Sequence, residues 1–291
     1  MTATRHVSPT FILLTDFGLT DQYVGQLRLA LTLYAPAVPI LDLAHDVPPF
    51  AISTGAFFLA SSLPFFPDGA ILLAVVDPGV GSMRELLLIQ GCMDDRVVTL
   101  IGPDNGLLSL GVQVLERYGP PVRCFSLTKA GNSNTFHGRS ILAPFAARLA
   151  RGEAPESLGT PRQKPLHTPS WIELEAIPDG FSCHVIHVDR FGNCILNLPA
   201  ATLLPEDVRL LPMLVTEANG EFTHYELQKA TCYAAITESK LGLVLGSQGF
   251  YEIASNRSSA AALTGLRPED RCRIIFPANE SDSSTFWSNL C

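Results

Sequence analysis

Ala70-Ile-Leu-Leu-Ala-Val-Val-Asp77-Pro-Gly-Val-Gly-Ser-Met-Arg84 is the stretch whose reading decides the fold. Seven apolar residues run unbroken from Ala70 to Val76, and the chain then turns on Asp77, Pro78 and Gly79. A short apolar run closed by turn residues predicts a strand buried on both faces. In open α/β sheets ligands bind beyond the carboxyl ends of such strands, which is where Asp77 stands. Pro78 fixes one φ angle, and Gly79 and Gly81 let a ligand approach the backbone. Arg84 follows close enough for the loop to fold it back towards the carboxylate. Taken alone, the loop reads equally well as an Asp turn cap beside a surface arginine.

Working outward, Phe11-Ile-Leu-Leu predicts a second buried strand ending in Thr15-Asp16-Phe17-Gly18-Leu-Thr-Asp21. A helix is expected from near Asp21, as N-cap or first-turn acid, to about Tyr34, with Pro36 ending it. Val38–Leu43 reads as a third strand and leads to Ala44-His-Asp-Val-Pro-Pro-Phe50. A helix over 53–63 precedes the opening strand. Arg96–Ile101 is a further strand before Gly102-Pro-Asp104-Asn-Gly106, and Leu107–Tyr118 has helical spacing. Strand, acidic or glycine-rich turn and helix thus alternate, which means a mostly parallel sheet with helices on its faces, an α/β/α sandwich. Asp16, Asp46, Asp77 and Asp104 all fall near carboxyl strand ends, and a shared ligand site at that edge is expected.

Gly131-Asn-Ser-Asn-Thr-Phe136-His137-Gly138-Arg139 precedes a helix over 140–151. A lone histidine is more often structural than catalytic. His137, however, sits in a polar turn at a helix N-terminus, where the macrodipole disfavours imidazolium. The Pro-rich segment 151–170 reads as a linker. Beyond it the period changes: Ser182–Asp189, Leu211–Thr216, Phe222–Leu227, Leu241–Gly246 and Cys272–Phe276 are strand-like, and convincing helices are few. This half reads as a small β-barrel or sandwich. The expected division is an α/β domain over 1–165, a β domain over 170–280 and a polar tail over 281–291.

Composition narrows the function classes. Of 291 residues, 47% are hydrophobic and only 16% charged, which suits a core-heavy globule with surface covered by sister subunits. The formal net charge of -8, with no basic run, argues against a nucleic-acid partner. Asp, Pro or Gly interrupts every apolar stretch, so no membrane span is expected, and Met1–Thr10 carries no secretory h-region. Seven singly scattered cysteines, without C-x-x-C spacing, suit reduced thiols in the cytoplasm and neither a disulfide frame nor a zinc site. There is no P-loop and no nucleophile elbow. An ionised Asp16 suits the two hydroxyls of a ribose diol. Asn193 can present a donor and an acceptor to an adenine edge, with Phe50 and Phe191 as apolar or stacking walls. From spacing alone, Asp189-Arg-Phe-Gly-Asn193 is a simple inter-strand turn.

Six blocks now stand in order: Thr15–Gly25, Asp77–Arg84, Gly102–Leu108, Thr135–Arg139, Asp189–Asn193 and Gly246–Ala254. Together they resemble the S-adenosylmethionine hydroxide adenosyltransferase family, the hydrolase branch related to fluorinase and chlorinase enzymes. The resemblance spans residues 11 to about 262. It implies an N-terminal α/β/α domain, a smaller C-terminal β-barrel and a homotrimer whose sites lie between the first domain of one subunit and the second of its neighbour. It also implies conversion of S-adenosylmethionine and water to adenosine and methionine, with no cofactor and no metal. The family's Asp-Arg-His set falls on Asp77, Arg84 and His137, which the halogenating relatives do not retain. Asp16 matches the ribose-binding acid. Asp21, Asp189 and Ser247 match the region holding the methionine end, Asn193 the adenine contact, and Glu252 the adenosine-side strand. Gln248 and Tyr251 depart from the commoner pattern there.

The chemistry is compatible with these expectations. A sulfonium is a good leaving group, so what is needed is an oxygen nucleophile held in line behind ribose C5′, and positioning alone supplies about 7–11 kcal/mol of barrier. Three rivals remain open on the sequence: a halide-using adenosyl transferase, a metal-dependent hydrolase built on the aspartates, and a catalytically silent adenosine or S-adenosylmethionine sensor.

Overall fold

Alternate side chains of Thr10–Thr15 (β1) point into two different cores. Phe11 and Leu13 pack with one, Ile12 and Leu14 with the other. That is the behaviour of a strand covered on both faces, and it explains why the run shows no polar alternation. The computed structural model describes residues 8–127, 135–164, 166–202, 204, 212–218 and 221–276. The chain divides into two compact units, Met1–Thr168 and Pro169–Cys291.

In the first unit β1 is followed by α1 (Tyr23–Tyr34), β2 (Ile40–Ala44), α2 (Ile52–Ser62), β3 (Ala70–Val75), β4 (Leu86–Met93), β5 (Arg96–Pro103), α3 (Ser109–Tyr118), β6 (Arg123–Leu127), α4 (Ala143–Ala150), α5 (Pro155–Leu158) and β7 (Gly159–Pro161). The sheet order is β2-β1-β3-β5-β4-β6-β7. Strands β2, β1, β3 and β5 are mutually parallel, whereas β4 runs antiparallel to both β5 and β6, and β7 antiparallel to β6. Five strands therefore share one direction and two oppose it, the mostly parallel sheet expected. Leu27 and Leu31 of α1 join Ala143, Ala146 and Ala147 of α4 in one core; Leu59 of α2 joins Val112 and Leu115 of α3 in the other. The sandwich is α/β/α.

Strands β4, β6 and β7 of this unit have no counterpart among the strands expected from the sequence. The β4–β5 hairpin pairs Met93 with Arg96, and Asp94 takes the left-handed turn at φ 52° without the glycine that normally signals it. The segment expected to be a plain linker also carries structure. α5 and β7 lie within it, as does Arg162, which is buried against Asp104 at 2.7 Å and Glu85 at 3.0 Å. α1 begins at Tyr23 with Gln22 in the cap position and no capping side chain, so the role expected of Asp21 is not filled.

The second unit contains β8 (Glu175–Ile177), β9 (Gly180–Val188), β10 (Cys194–Pro199), β11 (Met213–Ala218), β12 (Glu221–Ala230), β13 (Leu241–Leu245), β14 (Phe250–Ser255), α6 (Ala260–Thr264) and β15 (Arg271–Ile275). Of these, β8 and β10 have no counterpart among the strands expected from the sequence. The order β10-β14-β13-β12-β11-β15-β9 closes through a β9–β10 pairing, and β8 adds to β9 outside the ring. The choice between barrel and sandwich is settled as a closed seven-stranded barrel. Its interior is filled by Val185, Leu196, Leu214, Leu227, Leu243, Ile253 and Ile274. The tail expected over 281–291 and the block Gly131–Asn134 lie outside the described residues. No helix among the described residues is long and apolar enough to cross a membrane.

Candidate active site

Register places the first two site residues. β1 and β3 pair in parallel with Thr15 opposite Val75, and the Asp16 amide donates to the Val75 carbonyl at 3.3 Å. Both strands therefore end at one level, and Asp16 and Asp77 emerge side by side. After Asp77 the chain makes two consecutive turns, Val80 N–H to Asp77 C=O and Ser82 N–H to Gly79 C=O, with Gly81 at φ 85°.

The loop delivers Arg84 onto Asp77. Arg84 Nε donates to Asp77 Oδ1 at 2.5 Å and Nη2 donates to Oδ2, a two-pronged contact matched to the guanidinium plane. The same Nη2 lies 3.3 Å from His137 Nδ1. His137 is buried and heads a π-helical turn, Gly138–Leu142, that runs into α4. Such turns disturb the regular ladder and recur at functional sites. The Asp77 and Arg84 side chains are only 5% and 8% exposed. Burial pushes the arginine below its ordinary value, and the facing carboxylate keeps the ion pair together. Arg84 Nη1 is buried with no hydrogen-bond partner. A charged donor buried without an acceptor lacks the oxygen partner such a group ordinarily has.

Asp16 lies in the same cavity, of about 470 Å³, with Asp77, Arg84, His137, Phe50 and Phe136. Its Oδ2 accepts from the Phe50 amide at 3.0 Å, and Phe50 itself holds a φ of 70°. Burial raises Asp16 above the ordinary carboxylate range, against the pull of the hydrogen bonds from the Phe50 and Asp16 amides. Beneath it runs a chain of polar contacts that the sequence reading missed: Thr15 Oγ1 to His45 Nδ1 at 2.8 Å, His45 Nε2 to Asp42 at 3.1 Å, and Asp42 to Arg28. Nothing in the spacing of these four residues signals that they meet. Phe17, Tyr23 and Phe136 line the cavity as three mutually tilted rings.

Of the four carboxylates expected to share the sheet edge, Asp16 and Asp77 converge and two do not. Asp46 is exposed and outside the cavity lining. Asp104 is taken by Arg162 and by the His167 amide at 3.0 Å. Asp21 is exposed and is not among the lining residues either.

In the second unit Asp189 builds its own turn. Its Oδ1 accepts from the Phe191 and Asn193 amides at 2.9 and 2.8 Å, and its Oδ2 from Asn193 Nδ2 at 2.9 Å. Gly192 sits at φ 84°, and a Cβ there would meet Ser259. Asp189 thus shapes the turn, and Asn193 keeps its side-chain carbonyl for another partner. Phe191, 78% exposed, and Asn193 line a cavity of about 590 Å³ with Tyr233 and Ser255. The Tyr233 hydroxyl donates to Glu252 at 2.5 Å. Burial raises Glu252, the Tyr233 hydrogen bond opposing, and burial likewise raises Tyr233. Ser247 is exposed in the β13–β14 turn, outside this cavity. Among the described residues no group of three His, Cys, Asp or Glu side chains is placed to hold a metal ion.

Comparison with known proteins adds to this geometry. Residues 11–159 match the SAM hydroxide adenosyltransferase N-terminal domain and residues 183–273 its C-terminal domain. A Thermus thermophilus protein named (R)-S-adenosyl-L-methionine hydrolase is 35% identical over 277 residues, covering 90% of this chain and 98% of its own. A Nocardia brasiliensis fluorinase is more distant, 24% identical over 291 residues and covering 90% and 95%. The crystal structure of an uncharacterized conserved protein from Thermotoga maritima superposes with a TM-score of 0.75 at 27% identity, over 91% of this chain and all of that one.

Proposed function

The chain belongs to the SAM hydroxide adenosyltransferase family, and we propose that it hydrolyses S-adenosyl-L-methionine to adenosine and L-methionine. The observation that carries this reading is the buried Asp77–Arg84–His137 cluster, with Arg84 Nη1 lacking a partner. A water oxygen docked on Nη1 is the nucleophile. It attacks ribose C5′ in line, the C5′–S bond breaks with its electron pair going to sulfur, and neutral methionine leaves. Arginine has no acceptor, so His137 Nδ1 accepts from Arg84 and the imidazole keeps its proton on Nε2. His137 then orients the water as a donor. The oxonium left as the new C–O bond forms is a strong acid and gives its proton to solvent water at the cavity mouth. No general acid is needed for a thioether, and no Lewis acid either, so the reaction is metal-independent and uses no cofactor.

Asp16 accepts the ribose hydroxyls, and the exposed wall of Phe50 covers the sugar. Phe191, Asn193 and Glu252 serve the adenosine, Asn193 through its remaining carbonyl, while Asp21, Asp189 and Ser247 belong to the methionine end. The assembly is a homotrimer in which the barrel of a neighbouring subunit supplies Asp189, Phe191, Asn193, Ser247 and Glu252. Leu29 and Leu33 on α1, 69% and 76% exposed, suit burial against a sister copy. The compartment is the cytoplasm, in keeping with the free thiols of the described cysteines. The deciding experiment is turnover of S-adenosylmethionine in ¹⁸O-water. Label in the 5′-oxygen of adenosine, at a rate indifferent to chloride and fluoride, is expected; 5′-halo-adenosine, or tight binding without turnover, overturns the reading.

A further inference from the structure

Three aromatic rings in contact with one another line the candidate catalytic cavity. Phe17 and Phe136 stand 5.4 Å apart at 78°, Tyr23 and Phe136 5.6 Å apart at 86°, and Phe17 and Tyr23 5.8 Å apart at 52°. All three line the cavity that holds Asp16, Asp77, Arg84 and His137. Sequence explains the placement: Phe17 directly follows the diol-binding Asp16, Phe136 directly precedes His137, and Tyr23 opens α1. Edge-to-face packing sets the positive edge of one ring against the negative face of the next and fixes the three as a unit. Cations sit over such faces, and boxes of perpendicular rings recognise onium groups.

We propose that Phe17, Tyr23 and Phe136 form a recognition corner for the sulfonium charge, which lets the enzyme tell its substrate from neutral adenosyl thioethers. This rests on the hydrolase reading above and adds to it a specificity device. The charge balance requires one. Asp77 is already neutralised by Arg84 and has no net charge to offer a second cation. Asp16 is engaged by the Phe50 amide and faces the ribose. Arg139 lies over Phe136 at 5.0 Å while its Nη1 donates to Gln26, so that ring already attracts a cation outside the lining residues. Discrimination therefore falls mainly on Phe17 and Tyr23. The reaction also discharges the sulfonium as the bond breaks, so the corner loses its hold on methionine once it has formed, and release is helped.

The test compares two unreactive ligands by calorimetry: the thioether S-adenosylhomocysteine, and sinefungin, whose ammonium carbon replaces the sulfonium. Wild type binds the cationic ligand more tightly. Tyr23→Leu and Phe17→Leu each weaken sinefungin roughly 5- to 30-fold, the range for a desolvated cation–π contact, and weaken the thioether less than two-fold. Tyr23→Phe, which keeps the ring, restores wild-type discrimination and guards against a folding artefact. Equal weakening of both ligands makes the rings mere walls and overturns the proposal, as does no weakening of either. If the wild-type protein binds neither adenosyl ligand, the hydrolase reading fails and this one with it. If adenosine-forming turnover persists without charge discrimination, only the recognition corner is lost.

Discussion

Arg84 reaches back over its own loop to lay two nitrogens against the carboxylate of Asp77, with Nε 2.5 Å from Oδ1, and still leaves Nη1 buried and unpaired. The two charges neutralise each other, so the pair tolerates its burial, while the spare donor has a task only when an oxygen atom enters the cavity.

Arg84→Lys keeps a positive charge but loses the planar fork and the spare donor. We expect kcat to fall about 10²- to 10³-fold with little change in KM, as when a single transition-state donor is removed. Asp77→Asn should fall at least as far, because it takes from Arg84 the carboxylate that neutralises and orients it. His137→Gln, which keeps a donor, should lose much less than His137→Ala. Steady-state kinetics on the four variants checks this; equal losses for Gln and Ala at position 137 rule out the orienting role.

Asp16 titrates above the ordinary carboxylate range because it is buried. Its ionised form is the one that accepts two ribose hydroxyls. KM should therefore be flat at neutral pH and rise as pH falls through that raised value. Asp16→Asn should abolish this acidic limb and raise KM at pH 7.5 about tenfold or more, the worth of a hydrogen bond to a charged group. A KM–pH profile of wild type and variant gives the answer, and an unchanged acidic limb in the variant assigns it to another group.

Glu252 is likewise raised by burial, from an ordinary 4.5. Because the folded state holds this proton more tightly than the unfolded chain, the group favours folding below about pH 4.5, and that contribution is lost as pH rises through the folded value. Glu252→Gln removes the buried charge and keeps an acceptor for the Tyr233 hydroxyl. It should be more stable than wild type at pH 8 and indistinguishable at pH 4. Urea midpoints at the two pH values measure the difference; a variant no more stable at pH 8 contradicts the assignment.

If the barrel of one subunit completes the site of another, two inactive variants should rescue each other. Co-expressed Arg84→Ala and Asn193→Ala chains would then form some sites with both halves intact, giving about a quarter of wild-type turnover for random mixing in a closed ring. Each variant alone stays inactive. No recovery in mixed oligomers, verified by two affinity tags, places each site within a single chain.

Much of the site was legible from local pattern. Asp77 and Asp16 each follow a short, continuous apolar run closed by turn residues, the pattern of a strand buried inside a layered sheet. His137 announces itself through a polar turn ahead of a helix. The partners of these residues were not legible. Asp104 has the same local signature as Asp77, yet it pairs with Arg162, which sits in a stretch whose prolines resemble a linker. The Thr15–His45–Asp42–Arg28 chain and the Tyr233–Glu252 contact join residues with no shared motif. Strands β4 and β6 lack a clear local signature, because Gln90 and Gly91 break the apolar run of β4 and β6 is a five-residue mixed run, Arg-Cys-Phe-Ser-Leu.

The amino-acid sequence by itself determined which segments are strands with acidic ends, that a β-rich half follows an α/β half, and which residue types stand ready for chemistry. These follow from short-range physics: side-chain period, turn propensity and apolar run length. Only the tertiary structure decided that Asp16 and Asp77 are neighbours while Asp46 and Asp104 are not, and that three rings line one cavity. Those facts depend on strand order and register, with Thr15 opposite Val75 and β5 lying beyond β3. Order and register are set by how two cores fill on either side of the sheet, a sum over contacts distant in the chain that no local window contains.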